Sequence, residues 1–313
     1  MRKDLGLRIG TGVFGLLLVL IVVAIGFELA RQSTLSIQRF GLRFWVTSTW
    51  DPVAGQFGAL PFIWGTLYSS VLALLLATPV AIGIAVFITE LCPMSLRQPL
   101  AFLTELLAAI PSIVYGLWGI FVLVPAVRIF QVALPDSWRA SPFFAGPPLG
   151  VGMLSATLIL AVMVVPFTSS VAREVLNSVP MAQREAAYAL GATRFEAISA
   201  ALHYARTGIV GAVMLGFGRA LGETMAVTMV IGNNPRVSLS LSAPQYTMAA
   251  VLANEFTEAA DDLYLHALIE IGLVLFIVTL VVNSLSRLLI WSMGRNARAA
   301  TVVVATDAVP AGA

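Results

Sequence analysis

Long apolar runs separated by short polar stretches make up most of this chain. A hydrocarbon core of roughly 30 Å takes about 20 apolar residues in helical form to cross. Six runs meet that length and are predicted to span a membrane: Ile9–Leu29, Phe62–Thr89, Leu100–Arg128, Val151–Val171, Thr207–Gly232 and Leu263–Ile290. Arg2, Lys3 and Arg8 precede the first run, as in a signal peptide. No small-x-small cleavage site follows it and more spans come after, so it is predicted to be an uncleaved anchor.

The stretches between the runs carry their own signals. Arg31 to Pro61 holds Phe40, Phe44, Trp45, Trp50 and Phe57, which predicts an outer segment lying on the membrane surface, where aromatic side chains are favoured. Four prolines between Leu134 and Leu149 predict an irregular outer loop. Gln245–Phe256 is apolar but too short to span, which predicts a re-entrant or interfacial helix. The small apolar tail after Arg298 is predicted to be disordered. Pro79, Pro111 and Pro166 are predicted to interrupt their spans, as neighbouring helices can satisfy the freed carbonyls.

Composition agrees with a membrane protein: 59% of residues are hydrophobic and 11% charged, where soluble domains carry about a quarter charged. The net charge of +2 comes from scattered basic residues with no aromatic-interleaved patch, so no nucleic-acid partner is predicted. With the N-terminus inside, eleven basic residues fall on the cytoplasmic side and six on the outer side, with Arg219 buried between them. This excess obeys the positive-inside rule and predicts a multi-pass membrane protein with both termini cytoplasmic. A single cysteine, Cys92, and two distant histidines, His203 and His266, give no metal-ligand spacing, and no cofactor is predicted. With Lys3 the only lysine there is no Walker A loop, so the chain itself is predicted to be no ATPase, and no serine-hydrolase motif stands out.

The longest inner loop, residues 172–206, predicts a helix from Met181 to Leu190, a glycine stop at Gly191 and a second short helix from Thr193 to His203. Such a compact element suits docking into a partner's groove, although a solvated connector has the same composition. Its string "EAAYALGA", with Glu185, Ala186, Ala187 and Gly191 in register, resembles the EAA loop of importer-type ABC permeases. The family pattern closes on Leu-Pro, where this chain has Leu202 and His203. "FGALPFIWGTL", "LLAAIPSIVYGLWGIFVLVP" and "GRALGETMAVTMVIGN" extend the likeness to the C-type permease subunits of phosphate-specific transport (Pst) systems. The resemblance implies an all-α, polytopic fold with a type-I importer (MetI-like) permease core. It further implies a role as one half of an inorganic phosphate pathway. The implied partners are two copies of an ATP-binding subunit, an A-type permease and a periplasmic or extracellular phosphate-binding protein, with the lipid bilayer around them. Residues 1–60 are then an N-terminal helix with its outer segment, 61–291 the permease core with the coupling loop at 172–206, and 292–313 a short cytoplasmic tail.

The buried charges carry the candidate chemistry. Arg219 lies twelve residues beyond Thr207, roughly 18 Å along a helix axis, near mid-membrane. A charge there is expensive and faces the protein interior or water. Four residues on, Glu223 would share its helix face and could pair with it. The pair could be a structural lock. Alternatively, Arg219 could meet the anion on the permeation path, since a planar guanidinium fork suits phosphate oxygens, with Glu223 holding it in place. Glu105, within the third predicted span, could pair with Arg219 or sit near the inner interface. Gly218 and Gly222 form a G-x-x-x-G pair that suits close helix packing. From the residues alone, an ion-coupled anion carrier, a non-transporting membrane sensor, and a permease for sulfate or molybdate all stay open.

Overall fold

The structure is a computed structural model that describes residues 2–307, with side chains described at residue 8 and residues 10–293. It is all-α: α1 Arg2–Gln32, α2 Thr34–Phe40, α3 Leu60–Val86, α4 Met94–Ala109, α5 Ser112–Trp118, α6 Val124–Ala133, α7 Asp136–Arg139, α8 Met153–Asn177, α9 Met181–Ala189, α10 Arg194–Leu221, α11 Met225–Val230, α12 Met248–Glu255 and α13 Asp262–Asp307. Among the described residues, six helical segments are long and apolar enough to cross a membrane: Gly10–Gln32, Leu60–Leu91, Ser112–Ala133, Met153–Asn177, Arg194–Leu221 and Asp262–Met293.

Small residues set the packing. Ala73, Ala77, Ala81 and Ala85 line one buried face of α3 at four-residue intervals. Ala197, Ala201, Ala205, Ile209, Ala212, Gly216 and Ala220 form a like stripe on α10 at three- or four-residue intervals. Both faces close on α8, which has buried positions along most of its length. Without a hydrophobic drive between helices in lipid, such stripes let backbones approach and gain dispersion contacts. At Gly216 the approach is so close that a Cβ would lie 2.3 Å from Thr168 Oγ1.

The third crossing departs from the sequence expectation. Ile110 precedes a proline, which disfavours helical backbone at that residue, and both Ile110 and Pro111 are extended. The chain therefore forms α4 as a separate helix and starts its crossing at Ser112 instead of Leu100. Pro79 and Pro166, in contrast, sit inside continuous helices.

The aromatic stretch after α1 packs on the helices instead of standing apart from them. Phe44 and Phe57 are buried, and Phe57 stacks on Tyr264 with centroids 5.3 Å apart. Trp50 meets Phe62 edge-on and donates from Nε1 to Glu255 Oε2 at 2.8 Å. α3, α12 and α13 present apolar side chains of their own there, and packing the aromatics on them removes apolar surface from water. The short apolar segment is a non-spanning helix as expected, α12, with Met248, Ala250 and Val251 fully buried. The last helix, α13, runs past Arg298 to Asp307, where the sequence predicts disorder; the final six positions, 308–313, lie outside the described residues.

Candidate functional site

The fifth crossing is broken where the sequence predicts one continuous helix. α10 ends at Leu221, the backbone leaves helical geometry through Gly222 and Thr224, and α11 starts at Met225. Arg219 and Glu223 consequently do not share a helix face, and no ion pair joins them among the described residues. Glu223 Oε1 instead accepts from the Ala226 amide at 3.3 Å, in the first turn of α11. Arg219 places its guanidinium carbon 5.3 Å from the centre of the Phe167 ring on α8, a cation–π contact. It also lies within electrostatic reach of Tyr115 on α5, whose hydroxyl donates to Leu107 O at 2.8 Å. α11 packs so closely on α5 that a Cβ at Gly116 would fall 2.4 Å from Met229 Sδ. Irregular backbone at membrane depth is tolerated where protein buries it or where it lines a water-filled cavity. Gly222 is exposed, and with Thr224 it also opens onto a cleft of about 740 Å³ whose other walls include Leu29, Leu252, Phe256 and Leu275. That cleft is apolar and has Glu28 as its only charge, so it offers an anion nothing.

Glu105 is also elsewhere. It sits on α4, outside the crossing, and pairs with Arg173 at 2.5 Å instead of with Arg219. The extended backbone at Ile110 and Pro111 places it there.

Beyond α11 an extended segment, residues 231–247, packs on the starts of α3 and α8, at the end of the bundle away from the 172–206 loop. Its carbonyls take up donors that would otherwise be orphaned at the start of α8: Met153 N donates to Ala243 O at 3.1 Å and Leu154 N to Leu241 O at 2.8 Å. Just before the helix, Gly152 N donates to Val230 O at 2.9 Å. A Cβ at Gly152 would meet Ser242 O at 2.9 Å, so a side chain there has no room. From α3, Trp64 Nε1 donates to Ser238 O at 2.9 Å and Tyr68 Oη to Leu239 O at 2.9 Å. At the end of the segment, burial pushes the Tyr246 hydroxyl up, keeping it neutral as it accepts from Asn254 Nδ2 at 3.0 Å.

The end that carries the 172–206 loop follows the sequence expectation more closely. α9 closes in a Schellman motif, with Ala192 N donating to Ala187 O at 3.1 Å and Gly191 N to Tyr188 O at 2.9 Å. Gly191 has φ +83°, the left-handed backbone glycine adopts without strain. Glu185 and Ala186 are exposed and Ala187 is half-buried. Around them Leu190 is 90% and Phe195 80% exposed, an apolar surface with no cover among the described residues. Thr193 and Glu196 form a capping box that starts α10. The expected second short helix is the first part of α10, which continues unbroken through His203 into the crossing. A proline at that position, as in the family pattern, would remove an amide and obstruct the preceding turn.

Two residues with no role in the sequence reading join this end to the membrane. Glu90 lies in a π turn, Phe87–Leu91, that ends the α3 crossing. Its carboxylate accepts from Arg184 of α9 at 2.8 Å, and both side chains are more than four-fifths buried. The signal was present in the sequence: an acid in the last turn of a helix opposes the macrodipole and calls for a cation.

Residues 81–294 match the family model described as "Binding-protein-dependent transport system inner membrane component". The chain is 45% identical over 278 residues to the phosphate transport system permease protein PstC of Mesorhizobium japonicum, covering 87% of this chain and 85% of that protein. It is 46% identical over 289 residues to the protein of the same name from Haemophilus influenzae, covering 90% and 91%. Among solved structures it resembles the inward-facing MetNI methionine ABC transporter with a TM-score of 0.56 at 15% identity, over 74% of this chain and 94% of that one; this likeness bears on the fold alone.

Proposed function

We propose that this chain, which belongs to the binding-protein-dependent transport inner membrane components and within them to the PstC phosphate permeases, forms one half of a pathway through which inorganic phosphate is imported. Its permease core is residues 61–291, with 1–60 packed outside it and 292–313 as a cytoplasmic tail. An A-type permease supplies the other half of the pathway. Two ATP-binding subunits, which carry out the hydrolysis this chain does not, dock on α9 through Glu185, Ala186, Ala187 and the turn at Gly191. A phosphate-binding protein delivers the anion to the outer loops of a bacterial inner membrane, and both termini of this chain lie in the cytoplasm.

The observation that carries this reading is Arg219: a guanidinium in the last turn of α10, within a stretch apolar enough to cross a membrane, with no carboxylate partner among the described residues and three residues before a helix break. A cation without a carboxylate in an apolar stretch calls for water or an anion, and its fork fits phosphate oxygens. The cation–π contact with Phe167 orients the group without neutralising it, so the anion is attracted but not trapped. Glu223 acts one step away, holding the start of α11 and with it the shape of the break.

The test is phosphate uptake into proteoliposomes holding the complete complex. Arg219→Ala should lower uptake by roughly a hundredfold, the scale of losing hydrogen bonds to a charged group, while the subunits still co-purify. Arg219→Lys keeps the charge without the fork and should recover only part of the rate. Full uptake by Arg219→Ala, or loss of assembly in both variants, would leave Arg219 as a structural residue only.

A further inference from the structure

The inner end of α3 is held by guanidinium groups from three other elements. Arg184 of α9 donates from Nε and Nη2 to Glu90 Oε1, at 3.2 and 2.8 Å. The same side chain reaches Val179 O and Leu176 O, both at 3.1 Å, so it is anchored on both sides. Arg194, the first residue of α10, donates to Glu90 O at 2.5 Å. Arg97 of α4 donates to Thr89 O at 2.6 Å. A helix ending in a π turn leaves carbonyls without intrahelical partners and carries a partial negative charge there, and cationic donors satisfy both. The elements receiving these bonds also pack together, with Ala85 of α3 against Leu176, Val179, Ala201 and Ala205.

The other end of α3 bears Trp64 and Tyr68, which hold Ser238 and Leu239 of the outer segment. Trp64 and Glu90 are roughly 39 Å apart along the helix at 1.5 Å per residue. One continuous element therefore grips α9 at one end and the 231–247 segment at the other. Charge-assisted hydrogen bonds between mostly buried groups resist sliding better than apolar contact, because moving one partner leaves the other desolvated and unpaired.

We infer that Glu90 and Arg184 are a transmission joint: they convert displacement of α9 into movement of α3, and through Trp64 and Tyr68 into opening of the 231–247 segment. The inference rests on the import reading above, since it needs a partner that moves α9. Both are positioning residues and touch no substrate. In this arrangement α10, continuous from the capping box to the break, carries displacement to Arg219, while α3 carries it to the 231–247 segment. The two helices leave the same inner end and reach different depths.

The experiment uses the complete complex in proteoliposomes and reads phosphate imported per ATP hydrolysed. Glu90→Gln should lower that ratio at least tenfold while the ATP-binding subunits co-purify as before. Glu105→Gln breaks an ion pair that does not reach α9 and should leave the ratio within twofold of the parent. A second readout needs no assumption about the substrate: maleimide labelling of Val237→Cys, at a 45% exposed position in the outer segment, in a Cys92→Ser background. ATP should change the labelling rate in the parent and leave it unchanged in Glu90→Gln. Should Glu90→Gln fail to assemble, Arg184→Lys, which keeps the charge and loses the fork, is read in the same two ways with the same expectation. An unchanged ratio or retained ATP-dependent labelling in the assembled variant overturns the joint, as does an equal loss in Glu105→Gln. A parent complex that hydrolyses ATP and changes its labelling without importing phosphate sinks the substrate reading and leaves the joint standing.

Discussion

The two ends of α3 are held by opposite chemistry. At the inner end, guanidinium groups grip a carboxylate and two carbonyls over a core made mainly of alanines. At the outer end, two aromatic side chains hold backbone carbonyls beside a cluster of Phe44, Phe57, Phe62, Trp50 and Tyr264. The inner grip is a few strong, directional bonds that pull on a partner element as a unit. The outer one is two neutral hydrogen bonds beside many apolar and aromatic contacts. On the joint proposed above, a helix clamped hard at the end where force enters and held more softly at the end where it opens would work as a lever. Neither attachment alone would suffice: two hard ends would freeze the outer segment, and two soft ones would absorb the displacement.

Variants at the two ends should differ in kind as well as size. The largest loss of stability is expected at the outer end from Gly65→Leu, because even a Cβ there would lie 2.1 Å from Tyr246 O and backbone cannot give way cheaply. Overpacking of this sort costs about 3 kcal/mol or more, seen as a lower unfolding midpoint in detergent. Next is Trp64→Phe with Tyr68→Phe, which takes the Tyr68 donor from Leu239 O and leaves Ser238 O with Gln245 Nε2 alone, at about 1–3 kcal/mol where no water replaces the lost donor. Its specific sign is faster labelling of Val237→Cys without ATP. At the inner end, Thr193→Ala removes the cap of α10 for about 1 kcal/mol, read as faster amide exchange confined to the first turn of that helix. The smallest change in stability, within about 0.5 kcal/mol, is expected from Leu190→Ser at a 90% exposed position, yet this variant should recover less ATP-binding subunit on co-purification. If it recovers the full amount, the apolar surface around Gly191 is not the docking face.

The number of crossings was legible in the sequence because lipid demands about 20 apolar residues per helix and leaves little choice. The turn of the coupling loop was legible for a similar reason: Gly191 is a local signal, and the helix before it ends where the glycine says. Arg219 stood out because a charge in an apolar run needs a reason. Its surroundings did not, since the partner expected from four-residue spacing, Glu223, presupposes an unbroken helix, and the break at Gly222 has no proline to announce it. Proline did mark the start of the third crossing, but Pro79, Pro111 and Pro166 look alike in sequence and only Pro111 separates two helices. The outer aromatics were placed on the membrane surface because interfacial preference is a property of the residue. Their burial is a property of the helices they pack on, which only the assembled fold supplies. Glu90 and Arg184, 94 positions apart, come together only once α3 and α8 are packed side by side.

The most direct measurement is ATP-driven uptake of radiolabelled phosphate into proteoliposomes, comparing the complete complex with this chain alone and with the complex carrying a disrupted α9. Uptake should occur only in the intact complex with ATP on the side of its nucleotide-binding subunits, and should withstand an uncoupler. Transport by the isolated chain, or import that continues without ATP and collapses with the proton gradient, would mean an ion-coupled carrier instead of a permease moved by its neighbour.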